Sequence, residues 1–236
     1  MTVPQFLILD LDDTILDYSA PAEKIWPRLY REYAPRLKLP VERLGQAVDE
    51  SRRWYWSDAD RFREGRLDLK RARRIFVRDA LAKLGLTEHA LGDRMADEFT
   101  LEREIVVRPF DGAIDALTMF QEEGAKMVLL TNGESSMQRA KIERFGLARF
   151  FESIRIESET GIGKPDPRAH RAALAALDAP PQHTWMIGDD WEFDVAPALG
   201  MGMRTAWIHE PAGTEGQSAD LIIPSLRFLA GRWNSS

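Results

Sequence analysis

Two carboxylates separated by one residue follow the first apolar run of the chain. The run Phe6–Leu9 leads directly into Asp10 and, two positions later, Asp12. Such crowded negative charge is costly without a cation, and carboxylate oxygens are ligands that Mg²⁺ prefers. With magnesium bound, Asp10 can attack phosphorus to form an aspartyl phosphate while Asp12 acts as general acid and base. The alternative is an acidic turn in which Asp13 or Thr14 caps a helix, and this motif alone does not separate the two interpretations.

A hydroxyl and an amide follow a second apolar run, at residues 127–130. Thr131, Asn132 and Gly133 stand between this run and a segment of helical pattern. A hydroxyl together with backbone N–H groups at a helix N-terminus forms an anion site, so Thr131 and Asn132 are candidate phosphate-binding residues. An ordinary Thr or Asn helix cap is the alternative, and for this motif considered alone it is the interpretation that we favour.

One lysine lies in a segment that its neighbours make stiff. Gly163 precedes Lys164, and Pro165 and Pro167 follow it. Because proline fixes the backbone φ angle, this loop holds its lysine in place, whereas an isolated lysine is usually mobile and solvated. An ammonium group fixed near Asp10 can neutralise both the nucleophile and a phosphoryl group, which makes Lys164 a candidate catalytic residue.

A second carboxylate cluster follows the apolar run at residues 185–187. It contains Asp189, Asp190 and Asp194. Asp189 is the candidate magnesium ligand, with water or phosphate oxygens completing an octahedron. Asp190 and Asp194 have two alternatives, which are to cap the following helix or to bind Lys164. We expect both of them to interact with the residues that hold the metal ion, without binding the ion themselves.

The elements that must position these residues are strands of a parallel sheet. Apolar residues run continuously rather than alternating with polar ones, which is typical of strands covered on both faces. Helical patterns lie between the later runs, and strands that alternate with helices predict a doubly wound, Rossmann-like α/β fold. Ligands bind beyond the carboxyl ends of such strands, so the polar groups that follow four of the runs are expected to meet there. The predicted strands cover residues 6–9, 127–130, 154–156, 185–187, 205–208 and 221–223.

The segment from residue 18 to residue 108 breaks this rhythm because it is long, charged and helical in pattern. We therefore predict a core formed by residues 1–17 and 109–236 and a helical insert formed by residues 18–108, with hinges near Tyr18 and Arg108. Within the insert, aromatic and arginine residues at 52–56 and 61–63 can line a substrate pocket. Helix packing with a charged outer face is the alternative, and this pattern favours it.

The composition limits the kinds of partner and metal site. The chain has 236 residues, a formal net charge of -6 and no cysteine. The negative balance argues against a surface for nucleic acid or an anionic membrane, and the lack of cysteine excludes disulfides and thiolate metal sites. The first apolar run is too short for a signal core or a membrane span, so we expect a cytoplasmic protein with a small-molecule partner. The last three residues are expected to form a frayed end.

The four motifs, in this order and each after an apolar run, closely resemble the signature motifs of the haloacid dehalogenase superfamily across nearly the whole chain. The insert resembles the helical cap of the subgroup that includes sugar phosphatases, nucleotidases and N-acylneuraminate phosphatase. The resemblance implies that Asp10 is the nucleophile and Asp12 the acid and base. It implies further that Thr131 and Lys164 bind phosphate. A magnesium ion would lie between the Asp10 carboxylate, the Asp12 backbone carbonyl and Asp189.

The implied function is hydrolysis of a phosphate monoester of a small metabolite, either a sugar phosphate or a nucleoside monophosphate. Asp12 favours this over dehalogenation, because the dehalogenases have no leaving alkoxide to protonate and lack an acid at that position. A phosphomutase, which returns the phosphoryl group to the sugar, stays open as an alternative. A receiver-like signalling module is a more distant one, since it has no use for a long helical insert. Phe193 departs from the subgroup, many members of which have Asn there, and this affects the surroundings of Asp194.

Overall fold

The apolar runs of the sequence form strands in the computed structural model, which describes residues 2–210 and 218–233. The strands are β1 (Phe6–Leu9), β2 (Leu16–Asp17), β3 (Arg108–Pro109), β4 (Lys126–Thr131), β5 (Ser153–Ile156), β6 (Thr184–Gly188), β7 (Arg204–Ile208) and β8 (Leu221–Ile223). Six of them form one sheet in the order β5-β4-β1-β6-β7-β8, and each neighbouring pair is parallel. The predicted doubly wound α/β fold is confirmed.

The position of β1 explains where a ligand can bind. In the sheet register, Leu9 of β1 lies opposite Leu129 of β4 and Ile187 of β6. The residues that follow these three strands are therefore neighbours at the carboxyl edge of the sheet. Leu7, Ile8 and Leu9 are fully buried, as expected for a strand covered on both faces. Because β4 and β5 lie on one side of β1 and β6, β7 and β8 lie on the other, this edge is a topological switch point, where open α/β sheets bind ligands.

The described chain divides into two compact units. The core unit consists of Met1–Asp17 and Arg108–Ser236, and the helical unit consists of Tyr18–Val107. Residues 234–236, for which the sequence predicts a frayed end, lie outside the described residues.

The helical unit has an apolar core of its own. Its helices are α1 (Ala22–Arg36), α2 (Val41–Trp56), α3 (Ala59–Leu67), α4 (Leu69–Lys83) and α5 (His89–Val106). The ring of Trp26 stacks on that of Phe99 with their centroids 4.1 Å apart, and Phe76 packs against Trp26 at 5.9 Å. Asp58 and Asp68 cap α3 and α4 by accepting backbone hydrogen bonds. Across residues 2–210 and 218–233, every helix is too short or too polar to cross a membrane.

Helices of the core unit cover the sheet. They are α6 (Ala113–Glu122), α7 (Ser135–Arg144), α8 (Glu157–Thr160), α9 (Pro167–Leu177), α10 (Ala196–Gly200) and α11 (Leu226–Trp233), with a π-helix at Trp191–Val195. Asp166 caps α9, and its first residue, Pro167, has no N–H that would need a partner. Ala173 and Leu177 of this helix are buried in the same apolar cluster as Ile8 of β1, which fixes α9 against the sheet.

A short antiparallel ribbon stands where the chain passes between the two units. Leu16 pairs with Pro109 and Asp17 pairs with Arg108. The sequence predicts hinges in these neighbourhoods but not the ribbon, because two residues per strand are too few to give a hydrophobic pattern. The ribbon therefore holds side by side the two chain segments that lead into and out of the helical unit.

Candidate active site

A tight turn after β1 brings the first two carboxylates to the edge of the sheet. The backbone N–H of Asp10 donates to the carbonyl of Ile187 at 3.0 Å and so continues the ladder to β6. Asp13 then lies in the left-handed region with a φ of 63°, and its N–H donates to the carbonyl of Leu16 at 2.7 Å. Aspartate tolerates this conformation better than most residues. No helix of the described chain begins in this turn, so the predicted alternative of a helix cap at Asp13 or Thr14 is wrong.

Asp189 follows β6 and is held on both sides. The hydroxyl of Thr14 donates to its carboxylate at 3.2 Å, and the indole N–H of Trp207 donates to its backbone carbonyl at 2.7 Å. Thr14 lies in the turn after β1 and Trp207 lies on β7. The carboxylate of Asp189 is thereby fixed beside Asp10, the residue that follows the neighbouring strand.

Lys164 lies buried between two carboxylates. Its Nζ atom is 2.5 Å from Oδ1 of Asp10 and 2.6 Å from Oδ1 of Asp194, and the lysine side chain is only 3% exposed. Of the two predicted alternatives for Asp194, binding to Lys164 is therefore the one observed. The ammonium group neutralises part of the charge of both carboxylates, and it fixes the position of Asp10.

The side chain of Asn132 determines where the lysine loop lies. Its Nδ2 donates to the backbone carbonyl of Lys164 at 2.7 Å, and its Oδ1 accepts from the backbone N–H of Lys164 at 2.8 Å. The peptide bond between Lys164 and Pro165 is cis. Asn132, predicted to bind phosphate, thus uses its side-chain amide to hold the loop that carries the lysine.

Asp190 and Gly188 shape the surroundings of Asp194. The Asp190 carboxylate accepts from the backbone N–H groups of Glu192 and Phe193 at 2.8 and 3.0 Å, so it caps the π-helix, which is the other predicted alternative. A Cβ atom on Gly188 would lie 2.3 Å from Oδ2 of Asp194. Only glycine therefore leaves room for Asp194 at the end of β6.

The cluster holds more negative than positive charge. Asp10, Asp189 and Asp194 each offer an oxygen atom, and these atoms lie within 4.8 Å of one another. Burial and the carboxylates of Asp10 and Asp194 raise the pKa of Asp189 to about 8, and burial also raises the pKa of Asp10. Burial alone would lower the pKa of Lys164, but the adjacent carboxylates raise it. A divalent cation fits here, because the donors are hard oxygens and a bound cation favours the ionised carboxylates that burial and mutual repulsion disfavour.

Thr131 is the last residue of β4, the strand beside β1, and β1 leads directly to Asp10. It is 2% exposed, and its hydroxyl oxygen accepts from Nε2 of Gln138 at 2.6 Å. The following helix, α7, is capped by Glu134, whose carboxylate accepts from the N–H groups of Ser136 and Met137 at 2.9 and 3.0 Å. The Thr or Asn cap favoured for this motif alone is therefore wrong. The hydroxyl of Thr131 lies at the carboxyl edge of the sheet, on the strand beside β1.

Two residues that the motifs do not include also contact the candidate site. Gln138 and Lys141 of α7 both bind the side chain of Asp12. Their spacing of three residues puts them on one helix face, but many solvated helix faces have the same spacing. What distinguishes this pair is burial, since each residue is only 3% exposed.

A comparison with protein families shows to which family the chain belongs. The family model of haloacid dehalogenase-like hydrolases matches residues 5–202, a span that contains Asp10, Asp12, Thr131, Lys164 and Asp189. The chain is a haloacid dehalogenase-like hydrolase. The family predicted from the four motifs is thereby confirmed.

The relatives of this hydrolase are named after different reactions. A phosphoserine phosphatase from Thermus thermophilus is 31% identical over 96% of this chain and 98% of its own length. The structure of the HAD hydrolase YfnB from Bacillus subtilis, bound to magnesium, aligns with a TM-score of 0.71 and 24% identity over 98% of this chain and 99% of that one. A 2-haloacid dehalogenase from Pseudomonas syringae aligns with a TM-score of 0.64 and 24% identity over the same shares. The two structural alignments show the shared fold.

The aromatic and arginine segment at residues 52–56 of the hydrolase contains residues that pack in the core of the helical unit and residues that line a cavity. Tyr55 is buried in the core of the helical unit, as the packing interpretation predicts. Arg52, Arg53 and Trp56 line a cavity of about 650 Å³ within the same unit. Trp54 is 41% exposed, so the segment has residues of both kinds.

Proposed function

We propose that this hydrolase is a magnesium-dependent phosphatase acting on a small phosphorylated metabolite in the cytoplasm, such as a sugar phosphate or a nucleoside monophosphate. The observation that carries the proposal is the buried ammonium of Lys164 between Asp10 and Asp194, with Asp12 two residues from Asp10. This arrangement offers a carboxylate nucleophile, a fixed cation for a phosphoryl group, and a second carboxylate for proton transfer. The full-length similarity to a phosphoserine phosphatase supports the same reaction class.

Each half-reaction uses the same two aspartates. An oxygen of Asp10 forms a bond to phosphorus while the bond from phosphorus to the ester oxygen breaks, and protonated Asp12 gives its proton to the leaving oxygen. Water then attacks the phosphorus of the aspartyl phosphate, and the Asp12 carboxylate takes the proton of that water. The bond between Asp10 and phosphorus breaks, and inorganic phosphate leaves. Asp10 ends as a carboxylate and Asp12 as an acid, which restores the starting state.

The other residues bind the phosphoryl group and the ion. Lys164 and the hydroxyl of Thr131 would bind phosphate oxygens. The Asp10 carboxylate, the Asp12 backbone carbonyl and Asp189 would hold Mg²⁺. When bound, this ion supplies positive charge that offsets the repulsion between the nucleophile and a phosphate dianion.

Asp12 is the residue that favours phosphatase chemistry over dehalogenation. Alkoxide is a poor leaving group that needs a proton, whereas halide leaves without one. A carboxylic acid two residues after the nucleophile is therefore needed to protonate the leaving group in phosphate-ester cleavage, but not in halide release. Gln138 and Lys141 hold the Asp12 side chain at the site, which agrees with such a task.

The direct test is a screen for phosphate release by the purified chain with magnesium. The substrates are phosphoserine, sugar phosphates, nucleoside monophosphates and p-nitrophenyl phosphate, with 2-chloropropionate as a halide-releasing alternative. We expect inorganic phosphate without any bisphosphate activator. Release of halide but not phosphate would make the protein a dehalogenase, and a requirement for a bisphosphate would make it a phosphomutase.

A test of the metal site need not rely on turnover. Adding magnesium to chelator-treated protein should raise its melting temperature, because the ion offsets the repulsion between buried carboxylates. Asp189→Asn should melt at a temperature equal to or above the wild type in chelator and gain little from magnesium. Asp178→Asn, at an exposed aspartate after α9, is the control and should respond to magnesium as the wild type does. An equal response of Asp189→Asn would remove this residue from the ligand set.

A further inference from the structure

The carboxylate of Asp12 is held by two side chains of one helix. Nζ of Lys141 lies 2.7 Å from Oδ1 and 2.6 Å from Oδ2 of Asp12. Nε2 of Gln138 lies 3.1 Å from Oδ2 of the same carboxylate. Both carboxylate oxygens are therefore engaged by donors, which fixes the plane of the group as well as its position.

The geometry of α7 explains how two residues converge on one carboxylate. Residues three positions apart lie on the same face of a helix, so Gln138 and Lys141 point in one direction. Gln138 also donates to the hydroxyl oxygen of Thr131 at 2.6 Å and to the carbonyl of Asn132 at 3.0 Å. The face that holds Asp12 is thus tied to the end of β4, where the candidate phosphate-binding hydroxyl lies.

The burial of Lys141 is costly in itself. Its side chain is 4% exposed, whereas the side chain of Asp12 is 24% exposed. Most lysines keep the ammonium group in water, and a buried ammonium needs close polar partners to stay charged. A lysine that served only to pack α7 on the sheet would be replaceable by an apolar side chain of similar length. Its contact with both oxygens of Asp12 indicates a different task.

We propose that Lys141, assisted by Gln138, positions the Asp12 carboxylate for proton transfer in both half-reactions. The inference rests on the proposed phosphatase activity, in which Asp12 exchanges that proton. Lys141 acts through Asp12 and is therefore a positioning residue. Proton transfer requires the donor and the acceptor to lie within hydrogen-bond reach, so a carboxylate that rotates freely spends less time in the productive geometry.

The two half-reactions should depend on Lys141 to different extents. After Asp12 has protonated the leaving oxygen, it is a carboxylate, and this is the form that an ammonium group holds most strongly. It must then accept a proton from the attacking water. With p-nitrophenyl phosphate the leaving phenolate is stable without a proton, so the first half-reaction does not depend on Asp12. The second half-reaction needs Asp12 as a carboxylate, and with this substrate its proton passes to the solvent instead of to the leaving group. Loss of Lys141 should therefore let the aspartyl phosphate accumulate.

The experiment is rapid mixing of Lys141→Met with p-nitrophenyl phosphate and magnesium. We expect a burst of nitrophenolate approaching one equivalent per active site, larger than in the wild type, followed by a steady rate about ten- to a hundredfold lower. KM should be equal to or below that of the wild type. The burst separates a positioning role from general damage to the fold, which would slow both phases together.

Matched variants give the controls. Lys126→Met makes the same chemical change at an exposed lysine of β4 and should behave as the wild type. Lys141→Arg keeps a charged donor and should recover part of the steady rate. Gln138→Met removes the weaker contact and should show a smaller burst in the same direction, which keeps the inference testable if Lys141→Met does not fold.

The outcomes distinguish this inference from the proposed function. If the wild type turns over and Lys141→Met keeps a steady rate within about twofold of it, the positioning role is wrong while the phosphatase remains. A loss of rate in Lys141→Met without a burst and with a raised KM would likewise leave Lys141 a purely structural residue. If Lys141→Met does not fold, Gln138→Met without a burst has the same meaning. If the wild type cleaves no phosphate ester, both proposals fail.

Discussion

At the scale of single residues, Asp10 is the side chain whose replacement should separate chemistry from folding. Asp10→Asn is nearly isosteric, but its amide is a poor nucleophile and a poor magnesium ligand. We expect turnover to fall by several orders of magnitude while the melting temperature stays within a few degrees of the wild type. Phosphate release with the best substrate of the screen measures the first effect, and thermal unfolding measures the second.

The control for Asp10→Asn is the same change at Asp178, an exposed residue that follows α9 in a left-handed conformation with a φ of 49°. Asparagine tolerates that conformation, so Asp178→Asn should keep full activity. A rate above about a tenth of the wild type in Asp10→Asn would exclude Asp10 as the nucleophile.

Some residues of the candidate site could be predicted from the sequence, and others could not. Asp10, Asp189 and Asp194 follow apolar runs in the sequence, and the structure brings them together because the strands concerned are neighbours. Gln138 and Lys141 lie in mid-helix, and their polar character resembles that of any solvated helix face. Their contact with Asp12 depends on which face of α7 turns toward the sheet, and that is decided by tertiary packing.

At the scale of elements, the join between β6 and the π-helix requires a residue without a side chain. In Gly188→Ala the new Cβ atom would lie 2.3 Å from Oδ2 and 2.4 Å from Cγ of Asp194. Asp194 cannot turn away freely because Lys164 binds its other oxygen. We therefore expect a loss of about 1–3 kcal/mol in the free energy of unfolding, measured in urea, together with reduced activity.

Gly200→Ala is the matched control for Gly188→Ala. Gly200 ends α10, and a Cβ atom there would meet nothing within 4 Å. Alanine is the better helix former, so this variant should be neutral or more stable by up to about 1 kcal/mol. Equal stabilities of the two variants would show that the site tolerates a side chain at residue 188.

The helix α9 carries a buried histidine that should make stability depend on pH. Burial and the nearby charge of Lys164 lower the pKa of His170 from 6.5 to about 4. The unfolded chain therefore binds a proton at a higher pH than the folded chain does. The stabilising contribution is complete above pH 6.5 and is lost as the pH falls from there toward about 4. The full loss is on the order of 3 kcal/mol.

The comparison of His170→Leu with the wild type at pH 7 and pH 5 isolates this effect from other acid-sensitive groups. Between these two pH values the free energy of unfolding of the wild type should fall by on the order of 2 kcal/mol more than that of His170→Leu. Leu174→Ala, a cavity variant on the same helix, should be less stable at both pH values but keep the pH dependence of the wild type. If His170→Leu loses as much stability as the wild type, the histidine is not the group that titrates.

The elements themselves were the most predictable part of the molecule. Long apolar runs such as residues 127–130 predict a strand, and Lys126–Thr131 forms one. The ribbon of Leu16–Asp17 and Arg108–Pro109 was not predictable, because its pairing depends on where the insert leaves and rejoins the core. Hydrophobic periodicity reports burial within one element, whereas pairing between distant short segments is decided by the whole fold.

At the scale of the whole molecule, the two units should be separable. Each unit has its own interior, and the ribbon places Asp17 opposite Arg108, about 5 Å apart between Cα atoms as in any antiparallel pair. A short Gly-Ser linker can therefore replace Tyr18–Val107 without stretching the core. We expect the excised core to fold, because the strands that carry Asp10, Thr131 and Asp189 all belong to it.

The excision tests what the helical unit contributes to function. We propose that this unit is a cap that selects the substrate, and its cavity lined by Arg52, Arg53 and Trp56 offers groups for recognition. The core alone should still hydrolyse p-nitrophenyl phosphate, whose reactivity needs little help from binding, but its ratio of kcat/KM between the best and the poorer natural substrates should fall toward one. Both ratios come from the same phosphate-release assay. If the folded core keeps the substrate preference of the full chain, the helical unit serves packing or assembly, and selection must come from residues around the carboxyl edge of the sheet.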